Sequence, residues 1–98
     1  YAATKGAMLS FGKTLARTEA KYGITVNCVL PGAESPAAKE WAKKFPEKYA
    51  AILQQQPMRR LGDAETDIAP VIAFLAGPDS CYYSGQCLLL DGAYSIAP

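Results

Sequence analysis

The chain contains no histidine. That absence removes the Ser-His-Asp and Cys-His nucleophile systems, and with them most zinc sites, from anything built within its 98 residues. A basic run is missing too. Ten Lys and Arg stand against nine Asp and Glu, a net charge of +1, which leaves no electrostatic case for nucleic acid or an anionic membrane as partner. No apolar stretch approaches the ~20 residues that span a bilayer. The first residues do not read as a signal peptide. Cysteine is scarce: Cys28, Cys81 and Cys87 are odd in number and lack metal-ligand spacing. They read as reduced, half-buried thiols of a cytoplasmic protein.

What is present belongs to a packed body. Half the residues are hydrophobic and 19% are charged. Residues 1–22 read as a helix with apolar faces, stopped by Gly23. The small residues at positions 2, 3, 6 and 7 would admit another backbone close by. Ile24-Thr-Val-Asn-Cys-Val-Leu30 is a continuous apolar run, suited to a strand buried on both faces and ended by Pro31-Gly32. Residues 33–58 are punctuated by Pro36, Pro46 and Pro57 into helices near 37–45 and 47–55. Trp41, Phe45 and Tyr49 lie on their apolar face, and an insertion of this kind after a strand suits a lid over a site. Asp63 is placed to cap a helix running to Gly77-Pro78, with Glu65 and Asp67 in its first turn. Tyr82-Tyr-Ser-Gly85 is a turn, and Gln86–Leu90 a second buried strand. The order is helix, strand, lid helices, helix, strand. This is the α/β alternation of a doubly wound parallel sheet, of which two strands make a part that is incomplete by itself.

Tyr1 and Lys5 carry the chemistry. Four residues apart on a helix, they share one face. A phenol normally ionises near pH ~10, and a neighbouring ammonium favours the phenolate, which makes a general acid/base for moving protons on oxygen. A lone Tyr-x-x-x-Lys is a weak signal, but it has company. Tyr1-Ala-Ala-Thr-Lys5-Gly-Ala, Tyr22-Gly-Ile-Thr-Val-Asn27-Cys-Val-Leu-Pro31-Gly32, Arg60-Leu-Gly62, Asp67-Ile-Ala-Pro-Val-Ile-Ala-Phe74-Leu75, and Ser84-Gly85-Gln86 leading to Asp91-Gly92 follow in order. Together they resemble the C-terminal part of a short-chain dehydrogenase/reductase of the single-domain type, over essentially the whole chain.

The resemblance implies a Rossmann-type sheet that binds NAD or NADP, and interconversion of an alcohol and a carbonyl compound by hydride transfer. It implies that Tyr1 is the catalytic acid/base. Lys5 would favour its phenolate and hold the nicotinamide ribose hydroxyls. Pro31, Gly32, Glu34 and Ser35 would lie at the nicotinamide, Gly32 letting backbone come near the ring. Relatives carry a threonine for the carboxamide where this chain has Pro36. Ser35, one residue early, either substitutes or leaves that contact unmade. Asn27 reads better as a structural strand residue than as a site residue. Arg59 and Arg60 read better as a solvated or interface pair than as anion ligands. Relatives generally form tetramers, for which Phe74, Leu88 and Leu90 are interface candidates with monomer core as an equal reading. The family often ends Asp-Gly-Gly, and Ala93 replaces the second glycine. The family's glycine-rich phosphate loop, its NAD/NADP-selecting residue and its substrate-orienting serine are not in this sequence. Residues 1–98 are therefore expected to be the C-terminal segment of a dinucleotide-binding domain, with a substrate lid at about 33–58. Such a segment would need the N-terminal portion of the same enzyme as its partner, and would be inactive alone. The alternative is a non-catalytic binding or oligomerisation module derived from the same fold. A start on the tyrosine, rather than at an element boundary, favours the enzyme.

Overall fold

The computed structural model describes residues 1–96. In chain order it holds α1 (Ala2–Glu19), β1 (Cys28–Pro31), α2 (Pro36–Lys44), α3 (Pro46–Gln55), α4 (Ala69–Ala76) and β2 (Cys87–Leu90). Short 3-10 turns lie at Ala20–Tyr22 and Pro78–Ser80, and a π turn at Ala64–Ile68. The order of helix, strand, two helices, helix and strand is the one read from the sequence. The strands pair in parallel as a two-stranded sheet. No helix among the described residues is long and apolar enough to cross a membrane. Two compact units share these elements: Tyr1–Leu30 with Val71–Leu88, and Pro31–Pro70 with the residues from Leu89 onward.

In the first unit, α1 and its 3-10 extension end on Gly23, which takes a left-handed φ of 75° and gives its N–H to the Ala20 carbonyl. The helix buries Gly12 and Ala16, one turn apart on one face. A Cβ on Gly12 would stand 2.9 Å from the Cys28 sulfur. The close approach therefore falls here and not at the small residues of the first turns, where Gly6 has nothing near it. The ladder begins at Cys28 and not at Ile24. Before it, side chains supplement a single backbone bond, Gly85 N–H to the Val26 carbonyl (2.7 Å): Val26 N–H donates to Ser84 Oγ (3.0 Å), the Asn27 amide donates to the Tyr83 carbonyl (2.9 Å), and Gln86 N–H donates to Asn27 Oδ1 (3.1 Å). Asn27 thus serves the structural role expected of it. Cys28 N–H then donates to the Gln86 carbonyl at 2.9 Å and opens the ladder. Phe74 of α4 meets Tyr83 edge-on at 6.4 Å, and the Ser80 hydroxyl donates to the Leu75 carbonyl.

In the second unit, the chain leaving β1 is gripped from two directions. Gly32 N–H donates to the Leu90 carbonyl (2.9 Å), while the Gly32 carbonyl accepts from Gly62 N–H (3.1 Å) and Glu34 N–H donates to the Gly62 carbonyl (2.8 Å). This is a parallel bridge, Ala33 against Gly62. A Cβ on Gly62 would sit 3.0 Å from the Gly32 carbonyl oxygen, so backbone packing requires glycine there. Asp63 caps the following turn as expected, accepting from Glu65 N–H and Thr66 N–H at 2.9 Å each. The turn itself is wider than an α-turn: Ala69 N–H reaches back five residues to the Ala64 carbonyl. Pro70, just beyond, has no N–H to continue an α ladder.

The strands are not buried on both faces as their composition suggests. β1 is half-buried up to an exposed Pro31, and β2 alternates between exposed and half-buried. A two-stranded ladder leaves each strand an unpaired edge, and apolar composition alone does not cover it.

Candidate active site

Tyr1 sits at the N-terminal boundary of α1, and its carbonyl accepts from Lys5 N–H at 3.0 Å. Helical spacing therefore holds from the tyrosine onward. It brings Lys5 Nζ to 5.4 Å from the Tyr1 ring centroid, within cation–π range. The tyrosine is 94% exposed. Lys5 takes no part in an ion pair among the described residues. A phenolic O–H and an ammonium with its donors are thus presented side by side to whatever approaches this end of α1.

Pro31, Gly32, Glu34 and Ser35 follow one another in the other unit, where β1 ends. The last three have local partners. Gly32 lies against the end of β2: a Cβ there would stand 3.0 Å from Asp91 Cβ and 3.1 Å from Asp91 Cα. Ser35 caps α2, its Oγ accepting from Ala38 N–H at 3.1 Å, with Pro36 in the first helical turn behind it. The cap uses one acceptor position of the hydroxyl, and the O–H proton remains to be donated. Pro36 is a helix starter here. Glu34 accepts a hydrogen bond from the Tyr49 hydroxyl at 2.8 Å. That bond, with partial burial and the carboxylate's charge, raises the Tyr49 pKa above its ordinary value.

Of the aromatics between residues 33 and 58, Trp41 and Phe45 pack on each other with ring centroids 5.7 Å apart, and Lys48 lies over Phe45. Tyr49 differs from them, and nothing in its sequence context points to Glu34 as its partner.

A cavity of about 240 Å3 lies beside Gly32, lined by Met58, Arg60, Asp67 and Asp91 among others. Its charged groups are already engaged. Arg60 forks onto Asp67 at 2.6 and 3.0 Å, and with Asp63 N–H it holds the Asp67 pKa down at about 2. Arg60 is thus paired with an intrachain carboxylate, and not with Arg59 as the solvated or interface pair that the sequence suggests. Arg59 gives its guanidinium to the Gln54 carbonyl. Asp91 is bonded by the Ser95 side chain, and accepts from Ser95 N–H and Ala93 N–H, which together lower its pKa. This turn carries Gly92 at φ 61° and Ala93 at φ 70°. Ala93 thus adopts the left-handed backbone that favours glycine.

A family model described as enoyl-(acyl carrier protein) reductase matches residues 1–95. The chain is 42% identical over 97 residues to a glucose 1-dehydrogenase of Gluconobacter oxydans, covering 98% of this chain and 36% of that protein. It is 41% identical over 93 residues to the 3-oxoacyl-(acyl-carrier-protein) reductase FabG of Escherichia coli, covering 94% and 36%. Among solved structures, levodione reductase matches with a TM-score of 0.84 at 30% identity, covering all of this chain and 40% of that one. An actinorhodin polyketide ketoreductase with NADPH matches with a TM-score of 0.85 at 28% identity, covering 99% and 40%. The chain spans less than half the length of each of these relatives.

Proposed function

The chain belongs to the short-chain dehydrogenase/reductase family, and on that premise we propose that it forms the carboxyl-terminal portion of an NAD(P)(H)-dependent oxidoreductase that interconverts an alcohol and a carbonyl compound. The observation that carries this reading is the exposed Tyr1–Lys5 pair at the start of α1. A bound nicotinamide would supply the hydride that reaches the carbonyl carbon. Tyr1 gives its phenolic proton to the carbonyl oxygen as that carbon is reduced, so hydride and proton together make the alcohol. In the oxidative direction Tyr1 takes the proton back. Lys5 keeps a cation beside the phenol and offers its remaining donors to the ribose hydroxyls. Ser35, with its acceptor side fixed by the α2 cap, donates its proton to the carboxamide, and Pro31, Gly32 and Glu34 carry the backbone past it. The cofactor in this reading is NAD or NADP.

The segment 33–58 is the substrate lid in this reading, with the Trp41–Phe45 pair as its apolar surface. The exposed Phe74 and Leu89, with the half-buried Leu88 and Leu90, suit self-association as a tetramer. The three free cysteines suit a cytoplasmic setting.

The test is Tyr1→Phe in the complete enzyme that carries this segment. Loss of the proton donor lowers carbonyl reduction by about 10²–10⁴-fold, with cofactor binding retained. The isolated 98-residue chain, lacking a pyrophosphate site, oxidises no NAD(P)H. Unchanged turnover in Tyr1→Phe would refute the assignment.

A further inference from the structure

We propose that the Tyr49–Glu34 hydrogen bond is a latch that holds the α2–α3 segment down on the loop following β1, so that Tyr49 acts as a positioning residue. The lid role rests on the reading above, but the latch itself stands on geometry. Neither α2 nor α3 buries a single residue. A segment with so little buried surface opens at low free-energy cost, and the few directional contacts that remain decide how often it does. Those contacts are countable. Entry into the segment is set by the Ser35 cap and Pro36, and the elbow by Phe45, whose N–H donates to the Trp41 carbonyl, followed by Pro46. Both are local, within one turn of their own helices, and neither fixes where α3 lies. The Trp41–Phe45 contact joins the helices only to each other. The ion pair Glu40–Lys43 is exposed and within α2, and the Arg59 guanidinium on the Gln54 carbonyl joins the last turn of α3 only to the residues just after it. The Tyr49 hydroxyl is different: it reaches across fifteen positions to Glu34 Oε1 at 2.8 Å, is partly shielded from water, and meets an acceptor that is a carboxylate. The Glu34 backbone is in turn tied down, its own N–H donating to the Gly62 carbonyl. The latch therefore ties a weakly held helix to a backbone already pinned from two sides.

The experiment is limited trypsin digestion of the complete protein, following cleavage after Lys43, Lys44 and Lys48, together with amide exchange along α1 as a control. Tyr49→Phe removes one hydroxyl and keeps the ring. Cleavage is expected to quicken about tenfold, the equivalent of one hydrogen bond to a charged acceptor. Exchange in α1 stays as it was. Glu34→Ala reproduces the effect, Glu34→Gln, which retains an acceptor oxygen, restores slow cleavage, and the double variant Tyr49→Phe/Glu34→Ala is no faster than either single one. Cleavage within twofold of the parent in Tyr49→Phe, additive effects in the double variant, or faster exchange in α1 as well would overturn the latch. If cleavage quickens and the substrate KM of Tyr49→Phe also rises, the latch serves a lid. If cleavage quickens with KM unchanged, the latch stands and the lid reading fails.

Discussion

Adding a methyl group at Gly12 tests the packing of α1 in both directions. Alanine in a helix interior is favoured over glycine by ~0.5–1 kcal/mol, so on propensity alone Gly12→Ala would stabilise the protein. The structure opposes this. The new Cβ would stand 2.9 Å from the Cys28 sulfur, whereas even carbon pairs settle at ~3.5–4.0 Å. Cys28 lies at the start of the β1 ladder with its N–H bonded to Gln86, so relief requires either its side chain or the helix to move. Overpacking of this kind costs ~1–3 kcal/mol, and the net expectation is a loss of roughly 1 kcal/mol. In a Cys28→Ala background the obstruction is gone, and the same Gly12→Ala change should gain ~0.5–1 kcal/mol. The sign reverses, with a coupling of about 2 kcal/mol, in the range found for touching residues. Gly6→Ala is the control: nothing lies within 4 Å of its Cβ position, so it should stabilise the parent protein. Urea denaturation followed by far-UV circular dichroism, on the parent, both single variants and the double variant, measures all four corners. An effect of Gly12→Ala with the same sign and size in both backgrounds would refute the contact.

Three further outcomes follow, one from the turn at Asp91 and two from titrating side chains. Ala93→Gly relieves a left-handed alanine, worth ~1–2 kcal/mol, against ~0.4–1 kcal/mol of added chain freedom in the unfolded state. The melting temperature should rise, and an unchanged or lower value would show that the turn at Asp91 tolerates the alanine without strain. Asp67 has a folded pKa of about 2 against an ordinary 3.8. The stability it contributes is complete above the higher value and lost as pH falls through the lower one. Asp63 and Asp91 move in the same direction. Unfolding midpoints should drop between about pH 4 and pH 2, and Asp67→Asn should flatten that drop, as an acid titration of the urea midpoint will show. At the alkaline end Tyr49, its pKa raised by Glu34, contributes fully below pH ~10 and loses that contribution as pH climbs through its folded value, a dependence that Tyr49→Phe should remove.

The features legible in the sequence are those whose causes are local. Gly23 stops α1, Pro36 and Pro46 open α2 and α3, and Asp63 caps the turn before α4, each through bonds within a few residues. The Tyr1–Lys5 proximity is of the same kind. Features set by distant partners were not legible. Ile24–Asn27 has strand composition, but its backbone is met by Ser84, and the residues flanking it decide where the ladder starts. Gly12 looked like any helical glycine until Cys28 was beside it. The wide turn at Ala64–Ile68 combines a local cap with a missing donor at Pro70, and a pattern of apolar residues reports neither. Ser35 illustrates a mixed case: serine before proline signals a helix cap, and a family template draws attention instead to its hydroxyl as a ligand.

The join between Val26 and Ser84 spans 58 positions, and the strand pairing that follows it is equally long in reach. Time enters here. On a ribosome adding ~5–20 residues per second, residues 24–31 emerge roughly 3–12 seconds before the partner that closes them exists. Meanwhile α1, α2 and α3 can form from local signals, and an apolar stretch waits with its hydrogen-bonding groups unpaired. The return of Ser84 to Val26 is therefore the pairing for which residues 24–31 wait longest during synthesis. Substitutions at either residue should reduce the yield of soluble chain during synthesis more than they lower the stability of molecules that have already closed.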